Sequence, residues 1–284
     1  MAKEPSLRAR FRASLDLRGV ITSLFGVPRA LVGVIHAQAL PGTPGNQLGV
    51  SAIAKLAAAE AELYASAGFH GLILENTHDR PYVKGVAVGP EIATALSVVG
   101  AEIRRATPLP LGIQVLAGAN RAALAVAHAC GAAFVRVEGY VFAHVADEGL
   151  IESSAGDLLR YRRAIGADDV LVFADIKKKH SAHAITADVD IVETAKAAEF
   201  FSVDGVVVSG AATGSPADPQ EVEAVRSAVG VPTIIGSGIS PDNLALYRGA
   251  DAFFVGSSVK SDGVWSGRLD AARTRAVVDA LAGL

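Results

Sequence analysis

Short apolar runs alternate with longer amphipathic segments along the chain, and the alternation repeats eight times. The short runs are almost continuously hydrophobic and rich in β-branched residues, as expected for parallel strands that are covered on both faces. These runs cover residues 31–36, 71–75, 111–116, 134–138, 170–175, 205–209, 233–237 and 252–256. The helix-like segments cover residues 52–67, 90–106, 121–130, 157–165, 191–200, 219–228, 242–247 and 269–281.

A strand followed by a helix, eight times in succession, is the arrangement of a (β/α)8 barrel. A doubly wound open sheet is the alternative, but the pattern shows no crossover between two halves. We therefore predict an α/β fold and a single TIM barrel over residues 1–284, because no linker or low-complexity run divides the chain. Residues 1–30 precede the first strand. Their amphipathic basic part, residues 7–20, is predicted to be a helix that covers the bottom of the barrel, and Glu4 and Asp16 argue against a transit peptide.

Composition and charge narrow the class of protein. Half of the residues (51%) are hydrophobic and 19% are charged, which excludes a disordered chain. The 26 basic and 29 acidic residues leave a formal charge of −3, so the chain has no global positive field for nucleic acid. No uninterrupted apolar stretch reaches the roughly 18 residues that a membrane span needs. A single cysteine, Cys130, excludes intrachain disulfides. We expect a cytoplasmic protein with no nucleic-acid or membrane partner.

The carboxyl ends of the first five predicted strands carry ionisable and amide side chains. In a TIM barrel the active site forms at these ends. The catalytic candidates are His36, Glu75, Glu138, Asp175, Lys177, Lys179 and His180, and the substrate-binding candidates are Asn76, Asp79, Gln114 and Arg136. Asp175 and Lys177 would share one face if the strand continued, as a proton donor and acceptor or as a structural ion pair. A lysine here could also form a Schiff base with a carbonyl substrate.

The last three predicted strands end in small residues instead. Glycines let backbone amides approach an anion closely, and the loops after strands seven and eight are the usual phosphate site of these barrels. The phosphate-binding candidates are Ser209, Gly210, Gly236, Ser237, Gly238, Gly256 and Ser257. The alternative is that the glycines only form tight turns.

Histidines and long loops leave two further questions open. Five of the seven histidines follow predicted strands, namely His36, His78, His144, His180 and His183. A divalent metal therefore stays open, but no helical His-x-x-x-His pair is present, so we assign no metal ligands and expect no cofactor. The loops at residues 76–89, 139–156 and 177–188 are long enough to form lids over the site or contacts within an oligomer.

Several motifs together resemble the BtpA/SgcQ family. They are Ile35-His36 with residues 40–45, Glu75-Asn76 with Asp79 and Pro81, residues 88–91, residues 134–137, residues 148–152, Ala174-Asp175-Ile176 with Lys179-His180, Ser209-Gly210 with Thr213-Gly214, residues 235–238 with Asn243, and Val255-Gly256 with residues 260–263. The resemblance runs from about residue 30 to the end. It implies a ribulose-phosphate-binding barrel, and the family name refers to photosystem I biogenesis.

Two positions depart from the family pattern. Where the family usually has Leu-Arg-Asn-Asp after the third strand, this chain has Leu116-Ala117-Gly118-Ala119, and Glu138 replaces the usual Asn after the fourth strand. Such changes at one rim favour an altered substrate specificity over a lost activity, because the other polar groups at the strand ends are present.

We therefore predict an enzyme that acts by acid–base chemistry on a small phosphorylated sugar or nucleotide-derived compound. Isomerase, lyase and glycosidase chemistry all fit the candidate residues. The alternative is a non-catalytic assembly or biogenesis factor, as the family name implies. Alanine-rich helix faces are compatible with a homo-oligomer.

Overall fold

Eight parallel strands form a closed barrel in the computed structural model, which describes residues 17–210, 212 and 214–284. Eleven strands lie in this part of the chain: β1 Ala30–His36, β2 Gly71–Glu75, β3 Leu111–Gln114, β4 Phe134–Val137, β5 His144–Ala146, β6 Gly149–Ile151, β7 Leu171–Asp175, β8 Ser181–Ala182, β9 Gly205–Val208, β10 Thr233–Ile235 and β11 Ala252–Val255. The barrel order is β1-β11-β10-β9-β7-β4-β3-β2. The predicted TIM barrel is confirmed, and each barrel strand begins and ends within two residues of its predicted run.

Helices follow the barrel strands and pack around them. The α-helices of the described residues are α1 Gly19–Phe25, α2 Val50–Ala67, α3 Pro90–Ala106, α4 Asn120–Cys130, α5 Ala155–Ala164, α6 Ile191–Phe200, α7 Pro219–Ala228 and α8 Ala271–Ala282. The segment predicted as a helix over residues 242–247 is a 3-10 helix, Leu244–Tyr247. Each of these helices buries an apolar stripe against the strands, and the strands are buried on both faces, so the core forms two concentric layers.

Helix α1 packs against the amino-terminal end of the barrel. Val20, Ile21 and Phe25 belong to the inner apolar cluster. The Phe25 ring lies 5.9 Å from the ring of Phe134, the first residue of β4. It also occupies the space beside Gly71, where a Cβ would lie 2.4 Å from the ring, so this first position of β2 requires glycine. Most of the predicted basic helix at residues 7–20 lies outside the described residues.

A small antiparallel sheet lies at the opposite end of the barrel, built from the long loops after β4 and β7. Strand β5 pairs with both β6 and β8, which ties the hairpin of residues 144–151 to the segment after β7. These strands contain only two or three residues, which is too short for a period-two signal, and the sequence predicted loops here. No helix in the described ranges is long and apolar enough to cross a bilayer.

Candidate active site

A cavity of about 420 Å³ opens at the carboxyl ends of the barrel strands. It lies beneath the small sheet, because the turn between β5 and β6 contributes Asp147 and Glu148 to its wall. Its other charged and polar lining residues are His36, Glu75, Thr77, Arg80, Tyr82, Gln114, Arg136, Glu138, Asp175, Lys178, Lys179, His180 and Trp265. The cavity therefore brings together six of the seven catalytic candidates and two of the four substrate-binding candidates.

Arg136 is the centre of a buried ionic network on the cavity floor. Its Nε and Nη2 atoms donate to Asp175 Oδ2 and Oδ1, each at 2.8 Å, and its Nη1 donates to Glu75 Oε1 at 3.3 Å. Ser209 Oγ and the Gly236 carbonyl oxygen lie 3.4 Å from the guanidinium. Burial alone would lower the pKa of Arg136, but the ion pair with Asp175 raises it, so the cation is permanent. Both oxygens of Asp175 are engaged, which makes it an anchor for Arg136.

Glu75, by contrast, keeps one carboxylate oxygen available. Its Oε1 accepts the long hydrogen bond from Arg136, whereas Oε2 accepts none from the described residues. Burial raises the pKa of Glu75, and the nearby charges of Arg136 and Lys179 only partly offset this. A carboxyl group with a raised pKa in a cavity is suited to give and take a proton near neutral pH.

Glu138 contacts the loop after β3, the other segment at which the sequence analysis expects a departure from the family pattern. Its Oε2 accepts hydrogen bonds from Lys178 Nζ at 3.0 Å and from the Gly118 backbone N–H at 3.2 Å, and its Oε1 accepts one from Gln114 at 3.3 Å. The Gly118 amide can reach the carboxylate because the loop after β3 carries small residues here. The carboxylate of Glu138 thus connects the loops after β3 and β7 in the cavity wall.

Three consecutive lysines follow strand β7, and each has different contacts. Lys177 does not line the cavity: its Nζ donates to the Thr186 carbonyl oxygen at 3.0 Å, so it does not share a face with Asp175. The strand ends at Asp175, and Lys177 adopts a left-handed backbone (φ 47°) that turns its side chain away. Lys178 is paired with Glu138. Lys179 lines the cavity and makes no hydrogen bond or ion pair within the described part of the chain.

His36, at the end of β1, is a neutral imidazole with a defined tautomer. Its Nδ1 lies 2.8 Å from the Trp265 carbonyl oxygen, which can only accept, so Nδ1 carries the proton. Burial, followed by the charge of Lys260, lowers the pKa of His36 to about 3. Nε2 therefore keeps its lone pair and can accept a hydrogen bond from a ligand.

The low pKa of His36 predicts a dependence of stability on pH. The folded-state pKa of His36 lies below the ordinary value of 6.5. As the pH falls, the imidazole is therefore protonated in the unfolded chain at a higher pH than in the folded protein. We expect His36 to lower the free energy of unfolding by about 1 kcal/mol per pH unit below about pH 6. Urea denaturation across this range should show a shallower slope for His36→Asn. The control His128→Asn, on the exposed face of α4, should keep the wild-type slope, and equal slopes for all three proteins would contradict the assignment.

Two substrate-binding candidates hold loops together instead of lining the cavity. Asn76 donates to Asp79 Oδ2 at 3.0 Å and accepts from the Leu116 backbone N–H at 2.8 Å. Asp79 accepts from the Leu40 backbone N–H at 2.7 Å. Both side chains are buried, so they connect the loops after β1, β2 and β3 beneath the cavity rim.

Trp265 is a cavity residue that the sequence analysis missed. Its ring contacts the rings of His36 and His78, with centroids 5.8 Å and 4.8 Å apart, and the Arg80 guanidinium lies 4.9 Å from its centroid. It lies in the loop between β11 and α8, away from the strand ends. Trp265 is the only tryptophan of the chain, and this was the one feature of the sequence that could have pointed to it.

The phosphate-binding candidates border the cavity without lining it. A Cβ on Gly236 would contact Ser209 and Arg136, and one on Gly256 would lie 3.4 Å from the His36 ring. Gly210 and Gly238 are packed against the backbone of Ser215 and Pro216, where a Cβ would lie 2.4 Å away. Close packing thus requires glycine at these two positions. The backbone N–H groups of Ser237, Gly238 and Ser257 donate to no acceptor among the described residues.

The loops after β10 and β11 touch each other, because Ser258 Oγ donates to the Ile239 carbonyl oxygen. The free amides of Gly238 and Ser257 therefore belong to neighbouring loops, and they could receive an anion. Across residues 17–210, 212 and 214–284, no group of three or more His, Cys, Asp or Glu side chains is placed to hold a metal ion.

Comparison with known proteins relates the chain to one family. Residues 27–283 match the sequence model described as "BtpA family". A protein of Caenorhabditis elegans, described as uncharacterized and mitochondrial, is 47% identical over 262 residues, which cover 90% of this chain and 94% of that protein. The photosystem I biogenesis protein BtpA of Synechocystis is 34% identical over 265 residues, covering 91% of this chain and 90% of that protein.

Two solved structures share the fold at low sequence identity. The (S)-3-O-geranylgeranylglyceryl phosphate synthase of Thermoplasma acidophilum, in complex with its substrate sn-glycerol-1-phosphate, has a TM-score of 0.59 and 15% identity, covering 99% of this chain and 100% of the synthase. The phosphoribosylanthranilate isomerase of Thermotoga maritima has a TM-score of 0.54 and 13% identity, covering 90% and 99%. At these identities the likeness shows the barrel fold.

Proposed function

This chain belongs to the BtpA family, and we propose that it is an enzyme that uses acid–base chemistry on a small phosphorylated sugar or nucleotide-derived compound. The observation that carries the proposal is the composition of one cavity wall. There Glu75, a carboxylate with one oxygen free of hydrogen bonds from the described residues, and Lys179, a lysine with no partner among those residues, face the same space. A scaffold protein would have no use for two such groups left unsatisfied in a cavity.

In the proposed reaction each group has a part in proton transfer. Arg136 holds Glu75 in position through Oε1, which leaves Oε2 to remove or return a proton on the substrate. Lys179 is the second group of the acid–base pair, and each of the two groups shifts the pKa of the other. His36 Nε2 can accept a hydrogen bond from a substrate hydroxyl. Isomerisation, epimerisation and aldol-type cleavage can all proceed with these groups.

Two observations support a phosphorylated substrate. The free amides of Gly238 and Ser257 lie on the loops after β10 and β11, which border the cavity. Backbone N–H groups at these loops bind phosphate in many barrels of this fold. The two solved structures with the same fold are enzymes whose names include phosphorylated compounds. The substrate would place its phosphate on these amides and its reacting carbon beside Glu75.

A thermal-shift screen with inorganic phosphate, sugar phosphates and nucleotides tests this proposal. A ligand at about a hundredfold excess over its Kd stabilises the native state by about 2.7 kcal/mol, which should raise Tm by roughly 5 °C. Gly256→Val should abolish the shift, because its side chain enters the space beside His36 and the Ser257 amide. The control Gly49→Val, where nothing lies within 4 Å of the added Cβ, should keep it. The absence of any shift in the wild-type protein would overturn the proposal.

An assembly factor is the second candidate, because the Synechocystis relative carries photosystem I biogenesis in its name. Under this alternative, cells should tolerate Asp175→Asn and Lys179→Met without loss of function. Complementation of a deletion strain separates the two candidates. The cytoplasmic location and the homo-oligomer stay predictions, and the nematode relative's name places that protein in mitochondria.

A further inference from the structure

Three lysines in a row offer the same chemical group in three different settings. Lys177 Nζ donates to the Thr186 carbonyl oxygen and to Thr186 Oγ1, at 3.0 and 3.3 Å. Lys178 Nζ is bound to Glu138 at 3.0 Å. Lys179 has no hydrogen-bond acceptor among the described residues and lines the cavity. A half-buried amine that lines a cavity and has no acceptor among the described residues is available to a ligand.

We infer that Lys179 is a nucleophile that forms a Schiff base with the carbonyl carbon of the substrate. This inference rests on the proposed function, since it assigns the reacting group of the same cavity. It narrows the substrate class to phosphorylated compounds with an aldehyde or ketone, such as open-chain sugar phosphates.

Charged groups from four barrel strands face Lys179. They are Arg136 and Glu138 at the end of β4, Glu75 on β2, Asp175 on β7 and His36 on β1. Burial and the permanent cation of Arg136 lower the pKa of Lys179, although the three carboxylates act in the opposite direction. More of the amine is therefore unprotonated near neutral pH than for an exposed lysine. This fraction is the form that attacks a carbonyl carbon.

The step balances with groups that the cavity contains. Lys179 and Glu75 share no direct hydrogen bond, so one proton passes from the Lys179 ammonium through water to the Glu75 carboxylate. The neutral amine then forms a C–N bond to the carbonyl carbon. The second amine proton then moves to the former carbonyl oxygen, which becomes a hydroxyl group. The Glu75 carboxylic acid protonates this hydroxyl group. The C–O bond breaks and water leaves. The resulting protonated imine withdraws electrons from the adjacent carbon, which allows loss of a C–H proton or cleavage of a C–C bond. Addition of water to the imine restores the amine.

Pyridoxal 5′-phosphate, a phosphorylated aldehyde, is the probe for this inference. The full-length protein is incubated with it, reduced with borohydride and digested, and the modified lysines are located by mass spectrometry. We expect the reduced adduct mainly on Lys179, because the Lys177 amine is held by Thr186 and the Lys178 amine by Glu138. Lys179→Arg should remove this adduct while retaining the charge. The matched variant Lys177→Arg, two residues away on the same segment, should keep it.

A second measurement uses only the wild-type protein, so misfolding of a variant cannot affect its result. Competitive acetylation of the wild-type protein, followed by mass spectrometry, ranks the reactivity of all its lysines at once. Lys179 should react faster than Lys177 and Lys178, and prior incubation with inorganic phosphate should leave this order unchanged. Equal or slower reaction of Lys179 would overturn the inference.

The outcomes separate this inference from the proposed function. If pyridoxal 5′-phosphate raises Tm but leaves Lys179 unmodified after reduction, the Schiff base is wrong and phosphate binding stands. If pyridoxal without the phosphate modifies Lys179 equally well and phosphate compounds give no thermal shift, the nucleophile stands and the phosphorylated substrate is wrong.

Discussion

Arg136→Met lowers the free energy of unfolding by about 3–5 kcal/mol, the cost of removing one partner from a buried ion pair. The guanidinium is 4% exposed and donates to both oxygens of Asp175 and to Glu75. Its loss would leave two carboxylates close together in a site that water reaches poorly. Methionine is similar in length, so the change removes charge and hydrogen bonds while largely filling the volume. Equilibrium urea denaturation at neutral pH provides the measurement.

An exposed arginine–aspartate pair in the same chain is the control for this substitution. Arg163 lies 2.7 Å from Asp168, but its side chain is 80% exposed. Arg163→Met should cost less than about 1 kcal/mol, because surface pairs are screened by water. Adding Asp175→Leu to Arg136→Met should recover part of the loss, since the unpaired carboxylate is removed as well. A free energy of unfolding for Arg136→Met equal to that of the wild type would contradict a stabilising role of the ionic network around Arg136.

Glu75→Gln should reduce turnover by about 10²- to 10⁴-fold, the range for loss of a general acid–base group. Glutamine keeps the shape and can still accept from Arg136, but it cannot take up a proton. Turnover is measured on the sugar phosphate that the thermal-shift screen identifies, and that compound should still stabilise the variant. Because burial raises the pKa of Glu75, the wild-type rate should fall with decreasing pH above the usual range for glutamate. This acidic limb should vanish in the variant.

The control for Glu75→Gln is Glu152→Gln, which makes the same change at an exposed position outside the cavity lining. Its turnover should match that of the wild type. A rate for Glu75→Gln within about tenfold of wild type would show that another group transfers the proton.

Sequence reasoning succeeded where the signal is local. Each barrel strand is an almost continuous apolar run and most of the helices have an apolar stripe of helical period. The eight-fold alternation therefore predicted the closed barrel without any knowledge of contacts. The same argument placed His36, Glu75, Arg136 and Asp175 at strand ends, and all four line the cavity. Parallel strands bring their carboxyl ends to one edge of the barrel, which is why position along the chain was sufficient here.

Beyond the strand ends the backbone no longer follows a simple period, and sequence spacing stopped being informative. Lys177 and His180 both adopt left-handed backbone (φ 47° and 54°), so alternation cannot predict that Lys178 and Lys179 line the cavity and Lys177 does not. Asn76 and Asp79 were assigned to the substrate, yet they bind backbone amides of loops that are about 40 residues distant in sequence. Trp265 reaches His36 from the opposite end of the chain.

The amino-acid order of this protein thus established the barrel and the ionic residues at its rim, because both follow from periodicity and from the parallel direction of the strands. The assignment of partners came from the folded chain. Arg136 forms an ion pair with Asp175, and Lys178 forms one with Glu138. Lys179 lines the cavity without an ion-pair partner among the described residues. Hydrogen bonding and pairing depend on distances of a few ångströms between residues that are remote in sequence, and folding alone brings them together.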